Sequence, residues 1–368
     1  MTVYILELVL LFAVLVNGLY YILFSRVTFY KNKRTPVKET NTPLSIIVCA
    51  KNEEENLKKL VPLLLEQDHK NLEIILVNDS SADNTLDVID HFTEVDSRVK
   101  KVDVIQNEQF WGNKKYALTL GIKKATNEHL LFIEADCRPN NKFWARTISS
   151  KFDSHKSIVL GYGGYLKKKN SLLNAIIRYE TVLIAMQYMS AAIRGNAYMG
   201  VGRNLAYTST QFYESSGFMS HMKILGGDDD LFVNQSRTKN NVAISTSESS
   251  FTYSVPKDSW NQWFAQKRRH YHVANHYKFS DKCFLFGFFL SQIFWLTTAI
   301  IALIYGDWVI AGAIISIRYL LFYWIMYRGL LRFRESDLTP LIPLLELVLL
   351  IQQLRLGMLN LFRKPQRW

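Results

Sequence analysis
The chain has 368 residues, of which 49% are hydrophobic and 13% aromatic, enough for one large or two modest domains and too apolar for disorder to be the default. Its formal net charge of +12 calls for an anionic partner, whether nucleic acid, an acidic membrane surface or a phosphorylated small molecule. The three cysteines, Cys49, Cys137 and Cys283, form no CxxC or CxxH pattern, which argues against a structural zinc or a disulfide framework and fits a reducing compartment.

Leu8 to Phe24 carries no charge and, with the residues from Val3 on, reaches the length needed to cross a hydrocarbon core of roughly 30 Å. No Lys or Arg precedes this run and no small-residue cleavage site follows it, so a membrane span over residues 1–25 is expected rather than a cleaved signal peptide. A basic linker over 26–43, with Arg26, Lys31, Lys33, Arg34 and Lys38, is assigned to the cytoplasm by the positive-inside rule.

From Leu44 the pattern alternates. Apolar runs at Ser45 to Cys49, Ile74 to Val77, Val102 to Ile105 and Leu130 to Ile133 predict strands. Helical periods through Leu57 to Leu65, Asp83 to Phe92 and Lys114 to Ala125 lie between them. This order predicts an α/β domain over 44–255 with a mostly parallel sheet, whose ligands sit beyond the carboxyl ends of the strands. The residues at those ends are polar: Lys51, Asn52 and Glu53; Asn78, Asp79 and Ser80; Glu134 and Asp136. An acidic rim suits a diphosphate only if a divalent cation lies between them. No Walker sequence or GxGxxG follows the first strand, which weakens the NTPase and dehydrogenase readings and leaves a sugar nucleotide.

Ser171 to Ile193 sets Leu172, Ile176, Leu183 and Met186 against Arg178, Glu180 and Gln187, and reads as a helix in the membrane interface or in a core. Over 256–280, Trp260, Trp263 and Phe264 alternate with Lys267, Arg268 and Arg269, a composition suited to an interfacial helix. Cys283 to Gly306 and Trp308 to Tyr327 predict a transmembrane hairpin over 281–330, followed by cytoplasmic Arg328, Arg332 and Arg334. Arg318 falls mid-span, where pairing or a polar cavity is expected. Leu338 to Leu354 is interrupted by Pro340, Pro343, Glu346, Gln352 and Gln353. A re-entrant or interfacial segment is therefore expected over 331–368, because a full crossing would strand the basic tail Arg363, Lys364 and Arg367.

Several ordered motifs between Leu44 and Tyr277 resemble one family. These are Ser45-Ile46-Ile47-Val48-Cys49-Ala50-Lys51-Asn52-Glu53-Glu54, Val77-Asn78-Asp79-Ser80-Ser81, Gly112-Asn113-Lys114-Lys115-Tyr116-Ala117-Leu118, Glu134-Ala135-Asp136, Gly200-Val201-Gly202-Arg203-Asn204, Gly226-Gly227-Asp228-Asp229-Asp230 and Gln266-Lys267-Arg268-Arg269-His270. Together they resemble glycosyltransferase family 2, with a Rossmann-like GT-A domain, and especially its membrane-embedded branch of ceramide glucosyltransferases, hyaluronan synthases and cellulose synthases. The resemblance implies that Asp79 contacts the nucleobase, that Lys51, Asn52 and Glu53 line the nucleotide loop, and that Lys114 or Lys115 offsets diphosphate charge. Glu134 and Asp136 occupy the DxD position and can face one ion, Mg²⁺ or Mn²⁺, with Asp136 the safer ligand because Glu replaces the usual first Asp. Asp229, with Asp228 next, takes the catalytic-base position; Gly202 and Asn204 belong to the acceptor region. Gln266 and Arg269 match the Q-x-x-R-W signature that holds the diphosphate. His270 replaces its Trp, which points away from a growing polysaccharide as acceptor.

The function so implied is inverting transfer of a sugar from a UDP- or GDP-sugar to a lipid or lipid-linked acceptor, by a multi-pass inner (plasma) membrane protein with a cytoplasmic catalytic domain. The alternatives are a processive polysaccharide synthase, for which three expected spans are few, and a non-catalytic nucleotide-binding scaffold. No nucleic-acid partner is expected, since juxtamembrane clusters account for most of the basic charge.

Overall fold
A computed structural model describes residues 2–31, 42–105 and 114–362; Lys33, Arg34, Lys38, Gly112, Asn113, Arg363, Lys364 and Arg367 lie outside the described residues. The chain divides into two compact units, one built from the residues up to Tyr30, Ala175–Ser190 and Tyr277–Phe362, the other chiefly from Lys31–Asn174 and Ala191–His276.

Among the described residues the second unit holds ten strands: β1 (Leu44–Ala50), β2 (Leu72–Asn78), β3 (Val99–Asp103), β4 (His129–Phe132), β5 (Cys137–Pro139), β6 (Ile158–Leu160), β7 (Gly163–Tyr165), β8 (Leu205–Thr208), β9 (Val242–Ile244) and β10 (Thr252–Ser254). Seven form a sheet in the order β3-β2-β1-β4-β8-β6-β9, and β5-β10-β7 form a small second sheet. β3, β2, β1 and β4 run parallel, β8 runs antiparallel to both β4 and β6, and β9 is parallel to β6. This is the mostly parallel α/β sheet that the alternating pattern predicted.

β1 and β2 are buried along nearly their whole length, which is why they read as unbroken runs of Ile, Leu and Val rather than as alternation. Helix Glu54–Leu65 packs Leu57, Leu60, Val61 and Leu64 into the same core as Ile46, Val48, Ile74 and Leu76. Its single apolar stripe follows from the 3.6-residue period. The parallel register brings the carboxyl ends of β1, β2 and β4 to one edge of the sheet, so the polar loops that follow them share a rim.

The three segments expected as spans are helices in the first unit, Thr2–Phe24, Phe279–Tyr305 and Trp308–Arg332, and each is long and apolar enough to be a candidate crossing by length and composition. The same unit also contains a difference from the sequence reading. Residues 338–354, expected as re-entrant or interfacial, form a 3₁₀ turn Ser336–Leu341 and a continuous helix Ile342–Phe362. Ser336–Leu359 is long and apolar enough to be a fourth candidate crossing, by length and composition. The prolines do not break this helix, because Pro340 lies in the turn and Pro343 in the first helical turn, where an N–H has no intrahelical partner to lose.

Glu346, the other argument against a crossing, is paired with Arg318. The Arg318 Nη1 donates to Glu346 Oε2 at 2.9 Å, and its Nε and Nη2 donate to Asn17 Oδ1 at 3.2 and 3.0 Å. Both charged residues are buried, and the guanidinium lies 4.0 Å from the centre of the Trp295 ring. The mid-span arginine is thus paired, as the cost of an isolated charge there demanded. Helix Leu172–Ile193 also departs from an interfacial reading: Arg178, Glu180 and Gln187 are buried along with Ile176, Leu183 and Met186. Arg178 Nε donates to Glu335 Oε2 at 2.8 Å and Nη2 to Asp337 Oδ2 at 2.7 Å, so its polar side faces protein and it is a core helix.

Candidate active site
The loops after β1 and β2 are stitched to each other. Asn52, with a left-handed φ of 56°, donates its N–H to Ser81 Oγ at 3.0 Å and accepts from the Ala82 N–H at 2.8 Å. The Glu53 N–H donates to Thr85 Oγ1 at 2.9 Å. Asn and Ser tolerate such turns because their short side chains replace the backbone partners the turn removes. Lys51 is exposed at the rim, and Asp79, half-buried beside it, is held by its own N–H on the Ala50 carbonyl at 2.8 Å. Burial raises the Asp79 carboxyl above its usual range, while Lys51 and Lys114 oppose the shift.

The chain after β4 brings Glu134 and Asp136 together: one ligand atom each from Glu134, Asp136 and Cys137 lie within 4.8 Å of one another. Burial, then the Glu134 charge, raises the Asp136 carboxyl. Burial, then the Asp136 and Glu134 charges, pushes the Cys137 thiol well above its ordinary value, and its Sγ is engaged with Ser254 Oγ at 2.9 Å. With the sulfur engaged by Ser254, two mutually repelling carboxylates remain as oxygen donors. That donor set fits a hard divalent cation rather than zinc. Glu53 adjoins the cluster, its carboxyl raised by burial and then by Asp136 and Glu134, against a hydrogen bond from Asn56.

A small cavity under the rim is lined by Cys49, Lys114, Glu134, Gly202, Asp228 and Asp229, joining five motifs that are far apart in sequence. The Lys114 ammonium lies 3.2 Å from Glu134 Oε1 and 2.9 Å from Asp228 Oδ2. Burial alone would lower Lys114, but these carboxylates hold it well above its ordinary value. Burial would likewise raise Asp228, but the ammonium outweighs it and holds that carboxyl low. Asp229 responds the opposite way: burial and the neighbouring Asp228 charge push it up to about 6. Its Oδ2 accepts the Gly202 N–H at 2.6 Å and its Oδ1 the Asp230 N–H at 2.8 Å, capping helix Asp230–Ser236. Each oxygen thus accepts one backbone N–H and keeps a second lone pair. Gly226 and Gly227, at φ of 78° and 81°, make the left-handed turn that delivers the aspartates.

The two adjacent lysines separate in role. Lys114 enters the cavity, whereas Lys115 is buried and donates to the carbonyls of His221 and Ile224 at 2.6 and 2.8 Å, tying down the segment that leads to Asp228. Asn204 also has structural work: it is fully buried, its Oδ1 accepts from Trp144 Nε1 at 3.1 Å, and its Nδ2 donates to the Tyr162 and Ser250 carbonyls at 2.9 and 2.7 Å. Gln266, Arg269 and His270 lie on helix Trp260–Ala274, started by a Ser259 cap on the Gln262 N–H at 3.3 Å. Gln266 Nε2 reaches the Tyr165 hydroxyl at 3.5 Å, Arg269 is half-buried and His270 is exposed. The sequence reading missed Tyr165, which no local motif marks, and the pairing of Lys114 with Glu134 and Asp228, which its motif does not reveal.

A mostly parallel α/β sheet with paired carboxylates beyond its fourth strand and an aspartate cap across the cavity defines a GT-A transferase fold. Residues 45–210 match the family model "Glycosyl transferase family 2", and the chain carries a domain of that family. Among similar proteins is the 4,4'-diaponeurosporenoate glycosyltransferase of Staphylococcus haemolyticus, 30% identical over 128 residues, 35% of this chain and 32% of that protein. A second is the dolichyl N-acetyl-alpha-D-glucosaminyl phosphate 3-beta-D-2,3-diacetamido-2,3-dideoxy-beta-D-glucuronosyltransferase of Methanococcus voltae, 25% identical over 201 residues, 52% of this chain and 54% of that protein. A third is the poly-beta-1,6-N-acetyl-D-glucosamine synthase of Staphylococcus epidermidis, 29% identical over 127 residues, 33% of this chain and 29% of that protein. The matches thus span from under a third to about half of each relative's length. Among solved structures, the mannosyltransferase PcManGT from Pyrobaculum calidifontis in complex with GDP-Man and Mn²⁺ has the same fold, with a TM-score of 0.56 at 15% identity, covering 90% of this chain and 98% of that one.

Proposed function
We propose that this chain is a membrane-bound, inverting glycosyltransferase that moves one sugar from a UDP- or GDP-sugar to the hydroxyl of a lipid or lipid-linked acceptor. The observation that carries this reading is the cavity where Asp229 faces Glu134 across Gly202, a proton acceptor set beside a cation site. Asp79 and the loop Lys51, Asn52 and Glu53 bind the nucleoside. Gln266 and Arg269 grip the diphosphate, with Lys114 neutralising charge at the cavity wall. Asp229 takes the proton from the acceptor hydroxyl as it attacks the anomeric carbon, and Gly202 and His270 lie on the acceptor side. Asp136, with Glu134 beside it, would hold Mg²⁺ or Mn²⁺, which when bound would supply positive charge to the departing diphosphate.

Four helices among the described residues that are long and apolar enough to cross a membrane, and a relative named for a dolichyl phosphate acceptor, support the lipid side of the proposal. The basic residues after the first and third spans support a catalytic unit on the cytoplasmic side of the inner membrane. The test is transfer of label from UDP- and GDP-sugars, with Mn²⁺ and a membrane lipid extract, in detergent. Label moving to the organic phase as a single-sugar product supports the reading. Label in a high-molecular-weight polymer favours a processive synthase, the activity for which the Staphylococcus epidermidis relative is named. Absence of both transfer and metal-dependent donor hydrolysis points to a scaffold.

A further inference from the structure
Arg203 follows the glycine whose N–H binds Asp229, and its setting is unusually well built. The Gly202 N–H is fixed on Asp229 Oδ2 at 2.6 Å, and the Arg203 carbonyl accepts from Thr252 Oγ1 at 2.9 Å, so the backbone is pinned on both sides. The side chain runs across β7: a Cβ on Gly163 would come within 3.0 Å of the Arg203 Cβ and 3.5 Å of its Nε, which leaves that path open to glycine. The guanidinium lies 4.2 Å from the centre of the Tyr165 ring, a cation–π stack, and Nη1 donates to the Gly164 carbonyl at 3.2 Å. The same tyrosine's hydroxyl meets Gln266 of helix Trp260–Ala274.

Arg203 borders both sides of the site. A Cβ on the preceding Gly202 would lie 3.5 Å from Glu134 Oε1, so its backbone adjoins the metal carboxylates, and its stacking partner Tyr165 reaches Gln266 on the helix that carries Arg269. Among the described residues it forms no ion pair within 4.0 Å with Glu134 or Asp136, and one of its five N–H donors is used on protein. A stacked, half-buried guanidinium with donors to spare, beside a cation site, suits an oxyanion that both can share. It does not suit the neutral hydroxyls of an acceptor.

We propose that Arg203, held flat by Tyr165, is a diphosphate-binding residue of the donor site, directed at the β-phosphate that leaves with the nucleotide. The assignment rests on the transferase reading above. Its position in the chain gives the direction: the preceding residue holds the candidate base, so Arg203 lies at the end of the diphosphate nearest the reacting carbon.

The test is calorimetric titration of the full chain in detergent with UDP and GDP, and with UMP and GMP, each with Mn²⁺. Arg203→Met is expected to weaken the diphosphate that binds the wild type by about ten- to a hundredfold, as for loss of a hydrogen bond to a charged group, while the matching monophosphate changes less than about twofold. Arg203→Lys keeps the charge without the planar fork and is expected to fall between the two, which also guards against misfolding of the Met variant. Tyr165→Leu should weaken the diphosphate selectively as well. Unchanged diphosphate affinity in Arg203→Met, or equal losses for mono- and diphosphate, overturns the assignment. Failure of the wild type to bind either diphosphate overturns the donor reading itself, and this assignment with it.

Discussion
Asp229 gives the sharpest prediction, because its surroundings set both the pH dependence of turnover and a cost in stability. Burial and Asp228 push its carboxyl up to about 6. A base must be unprotonated, so kcat/KM should rise with pH through about 6 and level off above. Asp229→Asn should lower it by about 10²- to 10⁴-fold and remove that acid limb, while metal-dependent nucleotide binding stays close to wild type. Lys114 opposes the upward shift, so Lys114→Met should carry the limb to higher pH.

The linkage has a definite sign. A folded carboxyl raised from 3.8 to about 6 favours the protonated folded state, and that benefit disappears as pH rises through about 6. At neutral pH the ionised Asp229 then costs at most about 3 kcal/mol, part of it shared with Asp228 and Lys114. Asp229→Asn should therefore melt higher than the wild type near neutral pH and equally near pH 4. The assay is kcat/KM from about pH 5 to about pH 8 at saturating metal, with thermal melts at both ends of the stability window. An acid limb that survives in Asp229→Asn, or near-normal turnover in that variant, would refute the base assignment.

Lys115→Met removes the donor to the His221 and Ile224 carbonyls and should destabilise the catalytic unit by about 2–3 kcal/mol in denaturant melts, with turnover reduced more than nucleotide affinity because the segment before Asp228 is released. In the membrane unit, Arg318→Met should cost about 3–5 kcal/mol by leaving Glu346 buried and unpaired, whereas adding Glu346→Leu should restore most of the melting temperature in detergent; additive losses would contradict the pairing. Chelation by EDTA should abolish nucleotide diphosphate binding and Mn²⁺ should restore it. Asp136→Ala should remove the Mn²⁺ response, and Glu134→Gln should weaken it less.

The alternation of apolar runs with helical periods was enough for the parallel half of the sheet, because β1 and β2 are buried on both faces and so leave an unbroken signal. The rim residues of β1, β2 and β4 were legible for the same reason: in a parallel sheet, the residue after each strand must reach one common edge. The antiparallel insertion of β8, the three-residue strands β5 to β7, β9 and β10, and the second sheet were not, since segments that short carry no period. The continuity of the helix Ile342–Phe362 was not legible because Glu346 and the prolines look prohibitive locally, and only Arg318, 28 residues away in the chain, pairs that carboxylate.

The ordered motifs by themselves determined the family, the candidate acidic ligands Glu134 and Asp136, and the aspartate turn, since each is a run of residue types that one local geometry requires. The tertiary structure decided how those runs divide the chemistry. It paired Lys114 with Asp228 and left Asp229 with the raised carboxyl, turned Lys115 and Asn204 to structural bonds, and placed Arg203 on Tyr165. Charge state and donor availability are set by burial and by neighbours within a few ångströms, and those neighbours come from strands and loops far apart in the chain.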